Sequence, residues 1–230
     1  MGEHLKILVI APHADDEVLG MGGTIARFVD EGHDVQVAVL TGHGEKPHPL
    51  WAPGFWDTVR SECRTALKVL GCAEPIFREL PAAMLDATPT HHINKVINEL
   101  VGHVDPAEIY VPFAFDLHQD HAAVSYGVSV AARPYLATAQ NIRRVLAYET
   151  LSETHLAPPY MAPAFQPNVF VDISAHIERK LDSMRAYASQ LQPDNLPRSI
   201  AALRALATFR GTHIGVDAAE GFVLLGEYRR

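Results

Sequence analysis

The stretch KILVIAPHADDE, residues 6–17, decides much of the fold of this chain. Its first half is a short apolar run rich in β-branched side chains, which predicts a buried strand. A helix is predicted next, with one face formed by Val18, Gly22, Ile25 and Val29. Gly32 is a natural C-terminal end for this helix. A second apolar run, residues 35–40, completes a strand–helix–strand unit. Such units favour a parallel sheet with helices on both faces.

The alternation of apolar runs and helical stripes continues along the chain. Further strands are predicted at residues 75–80, 109–112, 145–149, 169–172 and 221–228. Further helices are predicted at residues 55–70, 93–101, 122–132 and 174–189. Prolines interrupt residues 157–167, which we expect to form a loop or lid. With no internal repeat or clean linker, the pattern predicts one α/β domain over residues 1–230, a Rossmann-like, doubly wound, mostly parallel sheet with helices on both faces.

The composition is that of a globular protein and excludes several classes of function. Of the 230 residues, 48% are hydrophobic and 20% charged, and the formal net charge is −8. This acidic balance argues against a protein that coats nucleic acid or anionic lipid. We see no signal peptide, and the apolar run near the start is far shorter than the roughly 18 residues of a membrane span. Two cysteines, Cys63 and Cys72, fit a reducing compartment, so we expect a cytoplasmic protein without stable membrane insertion.

Clusters of polar side chains follow two of the predicted strands. Residues 11–17 leave the first strand with one imidazole and three carboxylates, and residues 116–121 follow a later strand with two imidazoles and two carboxylates. In open α/β sheets, ligands bind beyond the carboxyl ends of the strands. Because both strands are expected in the same sheet, we predict that the two loops meet above its edge.

The two loops together predict a metal site. Neighbouring carboxylates repel each other unless a positive charge lies among them, and a divalent metal ion is the usual solution. Helix capping is an alternative explanation for the acids that lie at helix starts, which are Asp15, Asp16 and Asp120. Capping does not explain the imidazoles in the same loops, which are His13, His118 and His121.

The two loops resemble the signatures of the LmbE and PIG-L family of metal-dependent N-acetyl-sugar deacetylases, A-H-P-D-D-E and H-x-D-H. The matching stretches are HADDE, residues 13–17, and HQDH, residues 118–121. Other similar features span nearly the whole chain: residues 22–24, 40–42, 60–71, 171–173, Lys180, residues 189–190 and 219–222. Each motif alone is moderately specific, and together they make a strong resemblance.

The resemblance implies a metal centre built from His13, Asp16 and His121, which would bind Zn²⁺ or another divalent metal ion. Two imidazoles and one carboxylate with an open position are also the kind of donor set that a catalytic zinc ion requires on chemical grounds. Ala14 stands where the family most often has proline, a change that loosens the loop but removes no chemical group.

The resemblance also implies catalytic roles. Asp15 matches the family's general base, which takes a proton from the metal-bound water. His118, oriented by Asp120, matches the residue that stabilises the tetrahedral intermediate and helps to protonate the departing amine. Arg60 matches a substrate or anion contact. Asp116 lies where some members have a tyrosine that polarises the acetamide carbonyl, so zinc and His118 are expected to carry that task alone.

These roles predict a zinc-dependent N-deacetylase that removes the acetyl group from a small N-acetyl-sugar substrate of the N-acetylglucosamine type. Three alternatives stay open: hydrolysis of another amide, a non-catalytic metal- or sugar-binding protein, and a non-haem Fe(II) oxygenase, whose facial triad has the same donors. The α/β pattern is against the oxygenase, whose usual scaffold is rich in strands. Homo-oligomerisation also stays open, and we expect Tyr160 and Phe165 of the proline-rich stretch to line part of the acceptor pocket.

Overall fold

The computed structural model describes residues 3–44, 47–52 and 54–229. In this part of the chain, one sheet contains the strands β1 (Lys6–Ala11), β2 (Asp34–Gly42), β3 (Ile76–Pro81), β4 (Glu108–Pro112), β5 (Arg144–Tyr148), β6 (Val169–Asp172) and β7 (Ala219–Glu227). The α-helices are α1 (Asp16–Asp30), α2 (Phe55–Leu70), α3 (Thr90–Val104), α4 (Gln119–Ala131), α5 (Ile177–Ala186) and α6 (Ile200–Thr212).

The strand order explains why the two polar loops meet. The sheet has the order β3-β2-β1-β4-β5-β7-β6, and all pairs from β3 to β5 are parallel. From β1 the chain moves outward to β3, and it then returns to the centre as β4 and moves outward on the other side. β1 and β4 are therefore neighbours where the order reverses, and a crevice opens there beyond their carboxyl ends.

Alternate residues of β1 face two separate apolar layers. Ile7, Val9 and Ala11 pack in the layer that contains α1, α2, α5 and α6, whereas Leu8 and Ile10 pack in the layer that contains α3 and α4. A strand buried on both faces is apolar throughout, which is why this run shows no alternation. The sheet, its order and the helices on both faces confirm the predicted fold class.

The C-terminal part has two features that the sequence analysis did not specify. β7 runs antiparallel to both β5 and β6, so the sheet is mixed at this edge. No prediction covers α6, because its buried face consists of Leu203, Ala207 and Gly211, and with two of these three residues small the hydrophobic periodicity is weak. The other predicted elements are present with ends shifted by a few residues, and residues 157–167 contain neither helix nor strand.

A membrane-spanning helix needs both length and high hydropathy. Within the described ranges, none of the helices combines the two.

Helix α1, which leads directly out of the first polar loop, is bent at Met21 (φ −149°, ψ 25°). Such a bend leaves N–H groups of the next turn without helical carbonyl partners. Glu220 of β7 accepts them instead, because its carboxylate receives hydrogen bonds from the N–H groups of Gly23 at 3.1 Å and Thr24 at 2.7 Å. The negative charge also lies at the positive end of the second half of the helix.

Lys180 of α5 completes this buried arrangement. Its Nζ lies 2.5 Å from Glu220 Oε1 and donates to the carbonyl oxygen of Leu19, before the bend, at 3.0 Å. The exposed fractions of Lys180 and Glu220 are only 2% and 4%. The ion pair therefore joins both halves of α1 to the C-terminal elements and holds the helix that carries the first polar loop.

The substitution Glu220→Gln should lower the free energy of unfolding by about 3–5 kcal/mol, because the ammonium group of Lys180 would stay buried without its countercharge. Urea denaturation followed by circular dichroism measures this change. The double variant Lys180→Met/Glu220→Gln should recover part of the loss, since it removes the unpaired charge. As a control, Glu178→Gln breaks an exposed pair with Arg204 and should cost less than about 1 kcal/mol. A loss for Glu220→Gln no larger than that of the control would contradict this role.

Candidate metal centre

The two polar loops meet at the crevice between β1 and β4. The ring centroids of His13 and His121 are 5.5 Å apart, and the ring of His118 lies 4.4 Å from that of His13. Asp16, the first residue of α1, brings its carboxylate to both His13 and His121. His121 and Asp16 are buried, and His13 is partly exposed. The cluster therefore combines imidazole and carboxylate groups that are largely removed from water.

Two distances within this cluster match those between the ligands of a zinc ion. Ligand atoms at about 2.0–2.1 Å from a tetrahedral Zn²⁺ lie about 3.3 Å from one another. Asp16 Oδ2 is 3.3 Å from His13 Nδ1 and 3.2 Å from His121 Nε2. His121 Nε2 is buried and has no hydrogen-bond partner among the described residues. A cation bound to these atoms would therefore give a partner to a buried nitrogen that makes no hydrogen bond in the described part of the chain.

The opposite ring nitrogens of the two histidines each contact a carboxylate. His13 Nε2 is 2.8 Å from Asp120 Oδ2, and His121 Nδ1 is 2.7 Å from Asp116 Oδ2. Carboxylates in this position fix the tautomer and orientation of metal-binding histidines. Asp116 therefore orients the ring of His121.

Asp120 contacts His118 through its main chain and not through its carboxylate. The Asp120 carboxylate accepts hydrogen bonds from the N–H groups of Ala83 at 2.6 Å and Leu85 at 3.0 Å, in addition to its contact with His13. His118 is instead oriented by the main-chain N–H of Asp120, which donates to His118 Nδ1 at 3.1 Å. The physical reason is that His118 is the N-cap of α4, and its ring accepts a free N–H of the first helical turn.

A second set of possible ligands consists of His13, His118 and His121. One nitrogen of each ring can be chosen so that all three lie within 4.8 Å of one another. Since Nδ1 of His118 accepts a hydrogen bond, Nε2 is the nitrogen that stays available. Both sets therefore offer three donor atoms, and the set with Asp16 supplies a carboxylate oxygen close to one nitrogen of each of His13 and His121.

Asp15 has an unusual backbone and an unpaired carboxylate oxygen. Its φ of 131° lies in a region that residues other than glycine rarely adopt, and such strain costs on the order of 1–3 kcal/mol. Its N–H donates to Glu17 Oε2 at 3.1 Å. In the part of the chain that the structure describes, the buried Oδ2 atom has no hydrogen-bond partner, and Arg198 Nη1 lies 3.6 Å from it. Strain of this kind is often found at functional positions.

Burial and mutual charge shift the protonation of this cluster. Burial raises the pKa of the Asp15 carboxyl well above its usual value, and the charge of Asp16 raises it further. Burial also opposes ionisation of Asp16, but His121 and His13 hold the pKa of Asp16 well below its usual value. Burial and the positive charges of His13 and His121 lower the pKa of His118 to about 4. A divalent cation among the carboxylates would reduce their repulsion.

A cavity of about 270 Å³ adjoins this cluster. Its lining includes His13, Asp15, Asp16, His118 and His121. Three further side chains, which we call the aromatic patch, are Trp51, Phe55 and Trp56. Four others, which we call the polar patch, are Ser152, Glu153, Gln190 and Arg198.

The structure places Arg60 differently from the expected substrate contact. Arg60 is not among the described residues that line the cavity, because its guanidinium group pairs with Glu79 Oε1 at 2.6 Å and donates to the carbonyl oxygen of Arg78 at 3.1 Å. The arginine in the lining is Arg198, so the geometry favours Arg198 over Arg60 for an anion or substrate contact. Arg198 follows α5 in a segment without hydrophobic periodicity or a motif, so no sequence signal identifies it.

The proline-rich stretch lies at a different cavity. Phe165 and several of the prolines line a volume of about 260 Å³ together with Glu149 and Arg210. Tyr160 is fully exposed. Neither aromatic residue belongs to the described lining of the cavity at the metal centre, so the geometry does not support their expected place in the acceptor pocket.

Comparisons with known proteins identify the family of this chain. The family model described as PIG-L, GlcNAc-PI de-N-acetylase, matches residues 8–132. A 1D-myo-inositol 2-acetamido-2-deoxy-alpha-D-glucopyranoside deacetylase from Mycobacteroides abscessus is 29% identical over 88% of this chain and 87% of its own length.

Two solved structures are similar over nearly the whole chain. A conserved protein from Thermus thermophilus has a TM-score of 0.77 at 28% identity, and the match covers 98% of this chain and 97% of that one. N,N'-diacetylchitobiose deacetylase from Pyrococcus horikoshii, in complex with its inhibitor MPG, has a TM-score of 0.75 at 25% identity, covering 96% and 84%. Because the family model matches more than half of the chain, including both polar loops, this chain belongs to the PIG-L family.

Proposed function

We propose that this chain is a metal-dependent N-deacetylase that hydrolyses the N-acetyl group of an amino sugar or small glycoconjugate to acetate and a free amine. The observation that carries the proposal is the buried Oδ2 of Asp15, which has no hydrogen-bond partner among the described residues, next to Asp16 Oδ2 and the imidazole nitrogens that lie 3.3 and 3.2 Å from it. Membership in the PIG-L family and the deacetylases among the similar proteins support the acetyl group and the sugar.

We assign the metal to His13 Nδ1, Asp16 Oδ2 and His121 Nε2, and we propose Zn²⁺ as the ion. Two nitrogen donors and one oxygen donor leave a position open for water or substrate, as in catalytic zinc sites. When bound, the ion lowers the pKa of a water ligand and polarises the carbonyl group that is attacked. Asp120 and Asp116 then keep the two imidazole rings oriented toward it.

Asp15 is the general base in this proposal. Its free carboxylate oxygen takes a proton from the attacking water, whose oxygen forms a bond to the acetamide carbon. The strained backbone and the hydrogen bond to Glu17 hold the side chain next to the metal ligand Asp16. Asp15 returns this proton to the amide nitrogen as the C–N bond breaks, so that the amine departs as a neutral molecule.

His118 stabilises the negative charge that develops on the acetamide oxygen. Its Nδ1 accepts the main-chain N–H of Asp120, so the proton of the neutral ring resides on Nε2. The Nε2–H group is then a fixed donor next to the metal centre. Such preorganised donors stabilise the transition state because they need no reorientation during the reaction.

The ligand set is tested by the metal content of purified variants. Asp16→Ala and His121→Ala should lose most of the bound zinc after dialysis, whereas His118→Ala should retain it, because His118 is outside the ligand set. Asp182→Ala, an exposed acid on α5, serves as a control that should bind zinc normally. Inductively coupled plasma mass spectrometry measures the zinc per chain. Loss of zinc in His118→Ala together with retention in Asp16→Ala would favour the three-histidine set instead.

The reaction is tested by amine release from a panel of N-acetyl-sugars that includes N-acetylglucosamine and N,N'-diacetylchitobiose. We expect turnover of at least one member, loss of turnover after treatment with a chelator, and recovery when Zn²⁺ is restored. Turnover that is insensitive to the chelator would contradict metal dependence. Zinc binding without turnover of any N-acetyl compound would favour a non-catalytic metal-binding protein.

The role of Asp15 predicts a specific variant. Asp15→Asn should retain zinc and its thermal stability but lose at least about 10²-fold in kcat, the usual contribution of a general base. The control Asp182→Asn should leave kcat unchanged. Unaltered turnover in Asp15→Asn would remove Asp15 from the mechanism.

A further inference from the structure

The aromatic patch offers a broad apolar surface within the cavity. The ring planes of Trp51 and Phe55 are inclined by only 16°, with centroids 5.8 Å apart. Trp56 contacts Trp51 edge to face, with centroids 5.4 Å apart. Trp56 is buried, whereas Trp51 and Phe55 are partly exposed, so ring surface is left for a ligand. None of the proposed catalytic steps uses this surface.

Unpaired hydrogen-bond donors accompany the aromatic rings. Trp56 Nε1 and Arg198 Nε are both buried, and neither has a hydrogen-bond partner within the residues that the structure describes. Both residues line the cavity. Since buried polar groups are rarely left unpaired, each donor calls for an acceptor from water or a ligand. A ligand for this cavity should therefore combine an apolar surface with acceptor oxygens.

The size and the chemistry of the cavity narrow the ligand further. A volume of about 270 Å³ is just below the range of about 300–1,000 Å³ for sites that hold drug-sized ligands. It suits one six-membered ring with its acetamide group. An alkyl chain would leave the two donors unpaired, and a plain aromatic ring has no acceptor oxygens. A pyranose ring has C–H groups on its faces and oxygen atoms around its edge.

We propose that the aromatic patch is the specificity-determining surface of the site, on which a single pyranose ring packs while Trp56 and Arg198 donate to its oxygens. The proposal rests on the proposed function, which places the acetamide of that ring at the metal centre. In this proposal, Trp51, Phe55 and Trp56 select a sugar ring as the substrate, and the residues of the metal centre hydrolyse its acetamide group. The rest of a larger conjugate would then lie outside the cavity.

Binding to this surface can be measured without turnover by tryptophan fluorescence. The chain contains only two tryptophans, Trp51 and Trp56, and both belong to the aromatic patch. Intrinsic tryptophan fluorescence therefore reports on this surface alone. In the zinc-loaded Asp15→Asn variant, N-acetylglucosamine should change the emission saturably. N-acetylethanolamine, which has the acetamide but no ring, should not. No change with the sugar, or equal changes with both compounds, would overturn the proposal.

Kinetics of the otherwise unaltered, zinc-loaded enzyme test the same surface during turnover. Trp51→Ala should raise KM for N-acetylglucosamine about tenfold with a nearly constant kcat, because the ring contact acts in binding. The same variant should leave kcat/KM for N-acetylethanolamine unchanged. Trp51→Phe should restore most of the affinity, and Tyr135→Ala, which removes an exposed aromatic residue outside the cavity, should have no effect.

The two proposals fail in different ways. An unchanged KM in Trp51→Ala, or an equal loss with both substrates, would overturn the role of the aromatic patch while leaving the deacetylase intact. Saturable fluorescence changes with the sugar but no amine release would support the patch and contradict the proposed reaction.

Discussion

Burial of acids and imidazoles at the ends of β1 and β4 is the constraint on which the rest of the structure depends. Each group would be destabilising alone, because a charge removed from water needs a partner. The chain supplies Asp120 behind His13 and Asp116 behind His121, at 2.8 and 2.7 Å. On their other sides, His13 Nδ1 and His121 Nε2 both face the carboxylate of Asp16, at 3.3 and 3.2 Å. A divalent cation among these atoms would reduce the repulsion between the acids of the two loops.

The same constraint extends into the scaffold around α1. Glu17, the third acid of the first loop, is fully buried and accepts hydrogen bonds from the Asp15 N–H and from the Tyr187 hydroxyl. Glu220 and Lys180 support the bend of the same helix from β7 and α5. Residues far apart in the sequence thus hold the segment that presents Asp15 and the first ligands. The three consecutive acids differ in role: Asp15 lines the cavity, Asp16 faces the imidazoles, and Glu17 is internal.

Local sequence pattern was sufficient for most of the fold and for the meeting of the two loops. Strands buried on both faces are readily identified as apolar runs, and the position of a site at a topological switch point follows from the sheet order. Side-chain partners were harder to predict, because differences of less than an ångström in atomic positions decide which groups form a hydrogen bond. Asp120 was expected to orient His118, but the sequence did not show that the contact runs through its main-chain N–H while its carboxylate contacts His13. Arg60 fits a motif but is engaged by Glu79.

The most direct test of this account is a crystal structure of the zinc-loaded protein with anomalous diffraction data at the zinc absorption edge. We expect one strong peak at about 2.0–2.1 Å from His13 Nδ1, Asp16 Oδ2 and His121 Nε2. A peak coordinated by His118 in place of Asp16, or no peak between the two loops, would contradict it.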